Sequence, residues 1–527
     1  MPALLRTWVR AIPSGATRYP KRRILILIML LLLSIALYIL LIRVTPRPDG
    51  RTTSFLQVWM LSFLPYFGAC AFVLVTKPLA GRWFWIELSL IFLGALIFRF
   101  MLLPLLPMLS RDSWRYLWDA RVTLHGYSPY VYAPKDKVLE PLRDALIFEN
   151  MRYRNVPALY PPGAQGIFIL SYLLAPNNLF FLKGIFLLFD MLTCGLLVLY
   201  LARKQLDMRR VIIYAWCPIP IVEFVTQGHL DATTIMFMVA SVLCSSSIFR
   251  GSRALTGFLL GMATLTKIYP ILLLLVLLRR RDWALPLTCF ATIFMGYLPF
   301  LILGHGQVFG FFFDHANQQS PNAGIIQQVG HWLSVQFALK LSTTPLLEHT
   351  IDLIALSAIS LAILVLRLKE RIGVEMGALL LVGTALSISS YLFPWYTPAL
   401  LPWVAVLVGP LMHNQESELG MGVQGAKPPA GVRGILSGGA HSGDDEAQII
   451  GAPAFSLFPK RWGDDALNML TKIRAKDLAV VTAWYFICAS MLGYFFGNTL
   501  DWSLYYLIVY GVVVLGLAIA AIVGIAG

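Results

Sequence analysis

The chain has 527 residues, 58% of them hydrophobic and 13% charged, with a formal net charge of +15 at pH 7. Soluble domains carry about 25% charged residues, and a helix needs about 20 apolar residues to cross the hydrocarbon of a bilayer. The many runs of that length exclude a water-soluble protein and indicate a polytopic membrane protein. The basic excess does not point to nucleic acid, because Lys and Arg punctuate the chain between apolar runs, as cytoplasmic loops require.

Residues 1–23 carry Arg6, Arg10, Arg18, Lys21, Arg22 and Arg23 and no acid, which places the N-terminus inside. The run that follows is too long for a signal segment and has no small-residue cleavage site, so it reads as a retained anchor. Spans are predicted near 24–43, 55–75 and 83–104, with Lys77 and Arg82 in a short inner loop. Arg47 and Arg51 face outward against the rule. Residues 1–82 thus form a basic tail with two membrane helices, and 83–412 form a membrane core.

Residues 105–163 make a long outer loop. Its first part, Ser110 to Tyr130, crowds Arg111, Asp112, Arg115, Asp119 and Arg121 among Trp114, Tyr116, Trp118, Tyr127 and Tyr130. The loop closes at Tyr160-Pro161-Pro162-Gly163, a turn by its prolines. The run 164–175 is too short to span and reads as an interfacial or re-entrant helix. Spans follow near 179–202, 211–226 and 231–249. The stretch 254–278 has basic residues at both ends and Thr266-Lys267-Ile268-Tyr269-Pro270 in its middle. Two inner ends need an even number of crossings, so it reads as two short or broken helices meeting at Lys267. An ionisable residue at such depth marks function by default; the bland alternative is a snorkelling lysine.

A span near 283–304 leads to a second outer loop, 305–348, rich in Asn, Gln, Gly and His and including Asn322 and His331. Spans near 349–366 and 373–391 follow. The chain breaks at Phe393-Pro394-Trp395-Tyr396 and returns by about 412. Residues 413–478 are first Gly-, Ser- and Pro-rich and read as a mobile cytoplasmic loop. Residues 479–527 read as a C-terminal membrane hairpin. The expected fold is all-α: a transmembrane helical bundle of about 12–14 membrane helices, some short or broken, with long outer loops. The six cysteines lie within or beside apolar runs without ligand-like spacing, so neither a disulfide framework nor a zinc site is implied.

Counting crossings brings several polar clusters to one outer level: the Asp112 segment, Tyr160 to Gln165, Gln227 to Asp231 with His229, Lys267 with Tyr269, and Trp395 with Tyr396. The second outer loop joins them. Transfer of a sugar from a lipid phosphate needs a base for the acceptor hydroxyl, donors or cations for the leaving phosphate, and aromatic faces for sugar rings. Asp112 suits the base. Lys267 and His331 suit the phosphate, with Arg115 and Tyr269 as further candidates. Asp119, Trp114, Tyr116, Trp118, Tyr130, Trp395 and Tyr396 suit the acceptor and sugar. Nearby arginines are expected to keep Asp112 ionised by lowering its pKa. Each residue has an ordinary alternative: Asp112 and Asp119 as partners of Arg111, Arg115 or Arg121, the aromatics as interfacial belt residues, and His229 and Asp231 as helix caps.

In these pieces the sequence resembles the GT-C superfamily of glycosyltransferases, and within it the polyprenyl-phosphate-mannose-dependent alpha-mannosyltransferases. The matching stretches are Asp112 to Asp119 with Tyr127-Ser128-Pro129-Tyr130, Tyr160 to Gln165, Gly228-His229-Leu230-Asp231, Thr266 to Pro270, and Pro394-Trp395-Tyr396. The resemblance covers roughly 83–412. It implies an inverting transfer on the outer face from a lipid-phosphate sugar, most naturally mannose, to a glycolipid, glycan or protein hydroxyl. It implies an acidic base in the first outer loop, and no metal or other cofactor. One departure stands out: relatives often carry two adjacent acids where this chain has Arg111 before Asp112. A transporter or flippase of lipid-linked sugars is the alternative. It would place charges along a midplane path in paired halves, whereas here the polar clusters gather at one face.

Overall fold

The computed structural model describes residues 19–45, 52–246, 251–311, 345–389, 393–409, 475–494 and, within 505–516, all but 506 and 514. The described residues are helical, with no strand among them. Helix α1 (Pro20–Arg43) begins on a proline, whose fixed φ and missing N–H suit a first helical position. Helix α2 (Thr53–Val75) is broken at Ser62. Helix α3 (Arg82–Leu102) runs toward the first long loop. That loop holds α4 (Asp112–Leu124) and leads to the short apolar α5 (Pro162–Leu174), the re-entrant length predicted from sequence. Helix α6 (Leu179–Arg203) is capped by Asn178, which accepts a hydrogen bond from the Phe181 amide at 3.0 Å.

Between 211 and 226 the structure departs from the predicted span. Pro218 and Pro220 divide the segment into Ile212–Ala215, Pro218–Pro220 and a π-turn, Ile221–Thr226. Every residue from 211 to 236 is buried. Helices α7 (Asp231–Ser245) and α8 (Ser252–Thr266) follow. The break at Lys267 is as predicted: the residue is extended (φ −145°, ψ 147°), and the chain resumes as a 3-10 turn, Tyr269–Leu272, and a short helix, Leu273–Leu277. Helices α9 (Ala284–Leu303), α10 (Pro345–Leu368), α11 (Val374–Ile388) and α12 (Ala475–Ser490) complete the longer elements. Among the described residues six helices are long and apolar enough to cross a membrane: α1, α2, α3, α6, α9 and Thr350–Leu368 of α10. The protein is therefore an integral membrane protein built from long spanning helices and short, broken ones.

Helix α8 packs on α7 at one side and α9 at the other. Gly257 and Gly261 make the second contact possible. A Cβ on Gly261 would lie 2.7 Å from Thr292 Cβ and 2.9 Å from the Cys289 carbonyl oxygen. This spacing of small residues lets backbones approach in a bilayer, where tight packing drives association in place of the hydrophobic effect. Arg99 and Asp190 form a charge pair buried inside the bundle. Arg99 Nε meets Asp190 at 2.5 Å, Tyr214 donates to the same carboxylate at 2.7 Å, and Arg99 also reaches the Ala215 carbonyl at 2.7 Å.

Candidate active site

Three broken elements and the largely buried helix α4 converge at one end of the bundle. Asp112 is the first residue of α4, which is set by its approach segment. Gln227 Oε1 accepts from the Met108 and Leu109 amides at 2.9 Å each and from the Ser110 amide at 3.4 Å. Ser110 Oγ then accepts from the Asp112 amide at 3.3 Å. Lys183 Nζ donates to the Leu103 and Leu105 carbonyls at 2.7 and 2.5 Å, satisfying groups left open where α3 ends. Gly228 (φ 75°) sits under this turn, and a Cβ there would be 3.1 Å from both Lys183 and Ser113.

The carboxylate of Asp112 lines a cavity of about 180 Å³ together with Arg111, Tyr153, Tyr160, Trp395 and Tyr396. Tyr160 donates to Asp112 at 3.4 Å, and Tyr116 donates to Tyr160 at 3.3 Å. Lys267 lies in the same group. Its ammonium is 3.7 Å from Asp231 Oδ1 and sits over the rings of Tyr396 and Tyr160, at 4.4 and 5.6 Å. His229 stacks on Trp395 at 4.0 Å and Trp395 on Phe393 at 4.4 Å. Asp112, Tyr160, His229, Asp231, Lys267, Trp395 and Tyr396 thus converge in space, as predicted. Tyr269 is adjacent in sequence to this group, and its hydroxyl is buried without a hydrogen-bond partner among the described residues. Asn322 and His331 lie outside the described residues.

The two acids of α4 differ sharply. Asp119 is held by Arg115 Nε at 2.7 Å and by Gln165 Nε2 at 3.2 Å. Arg115 also donates to the Tyr153 and Val156 carbonyls, at 2.7 and 3.1 Å. Its guanidinium braces the loop against α4, so it is not a free cation for a phosphate. Asp112 carries no such clamp. Burial raises its pKa above the ordinary value, and the main opposing influence is Lys267, then hydrogen bonds from Ser110 and Tyr160. The expectation that arginines hold this pKa down is corrected: desolvation wins, and the cation that counts most comes from the helix break near residue 267. Burial also raises Asp119, against Arg115 and Gln165.

Trp114, Tyr116, Trp118 and Tyr130 do not line this cavity. Trp114 belongs to the core. Trp118 packs on Phe148 at 5.4 Å, and Tyr116 stacks on Phe168 at 4.3 Å while its hydroxyl reaches Tyr160. Tyr130 donates to the Tyr160 carbonyl at 2.6 Å and fixes that turn from behind. Several residues escaped sequence reasoning. Glu223 is fully buried, accepts from Tyr494 at 2.9 Å and lies 3.5 Å from His229 Nε2. An acid inside an apolar run interrupted by two prolines was the available signal. Tyr494 and Arg152 also line the cavity, though neither sits in a recognisable motif.

The family model described as glycosyltransferase family 87 matches residues 158–390. Among curated proteins none matches. The crystal structure of ArnT from Cupriavidus metallidurans bound to undecaprenyl phosphate is similar at a TM-score of 0.39 and 16% identity, covering 83% of this chain and 76% of that one.

Proposed function

We propose that this membrane protein is a glycosyltransferase that moves a sugar, mannose by preference, from a polyprenyl phosphate to an acceptor hydroxyl. The observation that carries the reading is one cluster of side chains. It comprises an unclamped carboxylate, Asp112, with a cation, Lys267, beside it and the stacked rings of His229, Trp395 and Phe393 forming a wall. The match to glycosyltransferase family 87 over residues 158–390 supports the reaction class. The charge pattern along the chain supports an outward-facing site with both termini in the cytoplasm.

In this reading Asp112 accepts the proton of the acceptor hydroxyl as its oxygen bonds to the anomeric carbon. The bond from that carbon to the phosphate oxygen breaks, and the polyprenyl phosphate leaves with the electron pair. Attack from the face opposite the phosphate inverts the configuration. Lys267 stabilises charge developing on the leaving phosphate, with the Tyr269 hydroxyl as a further donor. No step calls on a metal, because the lysine supplies the positive charge. A raised proton affinity makes Asp112 a better base once ionised, and Tyr160 aligns it.

The test is a transfer assay in nanodiscs with radiolabelled polyprenyl-phosphate mannose, a membrane lipid extract as acceptor and a parallel tube containing EDTA. Label should enter a new product in both tubes and should not do so with Asp112→Asn. Transfer by Asp112→Asn at the wild-type rate would remove the base assignment. Movement of the donor across vesicles without transfer would replace the enzyme with a flippase.

A further inference from the structure

One ion pair in the candidate site is held open. Asp231 begins α7 and is 1% exposed. Neither of its carboxylate oxygens has a hydrogen-bond partner among the described residues. Its ion-pair partner is Lys267, whose Nζ stands 3.7 Å from Oδ1, beyond hydrogen-bonding distance. A buried carboxylate normally collects donors, because an unmet charge in an apolar interior is costly.

The backbone on each side sets this separation. Thr234, near the start of α7, and Thr266, the residue before Lys267, share a hydrogen bond between their hydroxyls at 2.9 Å. That bond ties the start of α7 to the end of α8, and the extended backbone at Lys267 carries its side chain off the helix. The ammonium sits over the rings of Tyr396 and Tyr160, at 4.4 and 5.6 Å. Both tyrosines line the Asp112 cavity, whereas Lys267 and Asp231 do not. The cation therefore rests one layer behind the cavity wall, on cation–π contacts and a loose ion pair, a hold that an incoming anion can replace.

We propose that Asp231 competes with phosphate for Lys267: the ammonium moves forward to the donor phosphate for transfer, and Asp231 draws it back afterwards, releasing the polyprenyl phosphate product. This deepens the transferase reading and rests on it for the words donor and product. The chemistry of the two phosphates makes such competition useful. The donor is a phosphate diester with a single negative charge. Breaking its bond to the anomeric carbon leaves a monoester, which carries about −1.5 to −2 at pH 7. A lone lysine would hold that product more tightly than the donor, and release would limit turnover. A fixed carboxylate beside the lysine opposes the added charge. Asp231 is thus a positioning residue, acting on the phosphate through Lys267.

The test is a binding measurement with probes that carry no sugar. Farnesyl phosphate, a monoester, and methyl farnesyl phosphate, a diester, are titrated into the full-length protein in nanodiscs. The wild type should bind the two within about threefold of one another. Asp231→Asn keeps the size and removes the charge, so the buried ammonium gains more from an incoming phosphate. It should tighten farnesyl phosphate by about tenfold and the diester by less. Asp231→Glu, which keeps the charge, should restore the wild-type ratio. In turnover, Asp231→Asn should give a burst of product and then a slower steady rate. Unchanged or weaker farnesyl phosphate binding by Asp231→Asn would overturn the proposal, since loss of a merely structural partner of Lys267 has that sign. A wild type that favours the monoester beyond the stated margin would overturn it without any variant. If the affinities behave as stated while the transfer assay is blank, the competition at Lys267 stands and the transferase reading falls.

Discussion

Asp112 illustrates how a single carboxylate can be set apart by what does not hold it. Its neighbour on α4, Asp119, is fastened by Arg115 and Gln165, whereas Asp112 has Tyr160, the Ser110 turn and the Lys267 charge. Because its pKa is raised, the proposed base is expected to protonate, and the proposed transfer to decline, as pH falls through a value above the ordinary 3.8. Lys267→Ala removes the largest opposing influence, so the acid limb of the pH–rate profile should move to higher pH, along with weaker donor binding. The sign for stability is opposite to that of a salt-bridged acid. A carboxyl with a raised folded pKa favours folding at low pH, and that benefit fades as pH rises from the unfolded value through the folded one. Asp112→Asn should therefore be no less thermally stable than wild type near pH 7, measured by the melting transition in detergent. A lower transition would show the residue to be structural. Sequence reasoning found Asp112 because acids are rare in so apolar a chain. It misjudged the electrostatics because the cation opposing desolvation lies over 150 positions away, and no periodic pattern reports that proximity.

At the scale of elements, broken helices carry the site and straight ones carry the frame. The break at Lys267 was legible, since basic flanks and Pro270 demanded it. The breaks in 212–226 were not, because an apolar run of that length reads as a span even with Pro218 and Pro220 inside it. Gly261→Leu should separate α8 from α9 and lower the yield of monodisperse protein in detergent, because Thr292 and the Cys289 carbonyl leave no room for a side chain. Gly261→Ala, which adds a single methyl, should lower that yield less; equal yields for Leu and wild type would show that the two helices can part without harm. Asp190→Ala should destabilise by about 3–5 kcal/mol, since it leaves the Arg99 guanidinium buried without its counter-charge. Retained melting temperature in that variant would mean that water or a rearranged partner replaces the carboxylate.

Over the whole molecule the ends of the sequence meet the middle. Trp484 of α12 donates to Tyr66 of α2 at 2.9 Å, Thr397 and Ser490 lie 3.1 Å apart, and Tyr494 reaches Glu223 beside the cavity. Tyr494→Phe should lower the melting transition, by about 1–3 kcal/mol of stability, because Glu223 Oε1 loses its donor in a buried site. Hydropathy and charge foretold the spanning helices and where polar segments gather, as both follow from crossing a bilayer. Contacts such as Tyr494 with Glu223 depend on how helices far apart in sequence pack, and composition is silent on that. The segment 211–236, buried along its whole length, also bears on how the chain enters the membrane. It contains Glu223, Gln227, His229 and Asp231 between its prolines and the start of α7. Four such side chains in an otherwise apolar stretch are costly to place in lipid without partners. The segment meets α3 and α6 before it in the chain but also Lys267, Trp395 and Tyr494 after it, so its enclosure is completed only by parts of the chain that are synthesised later.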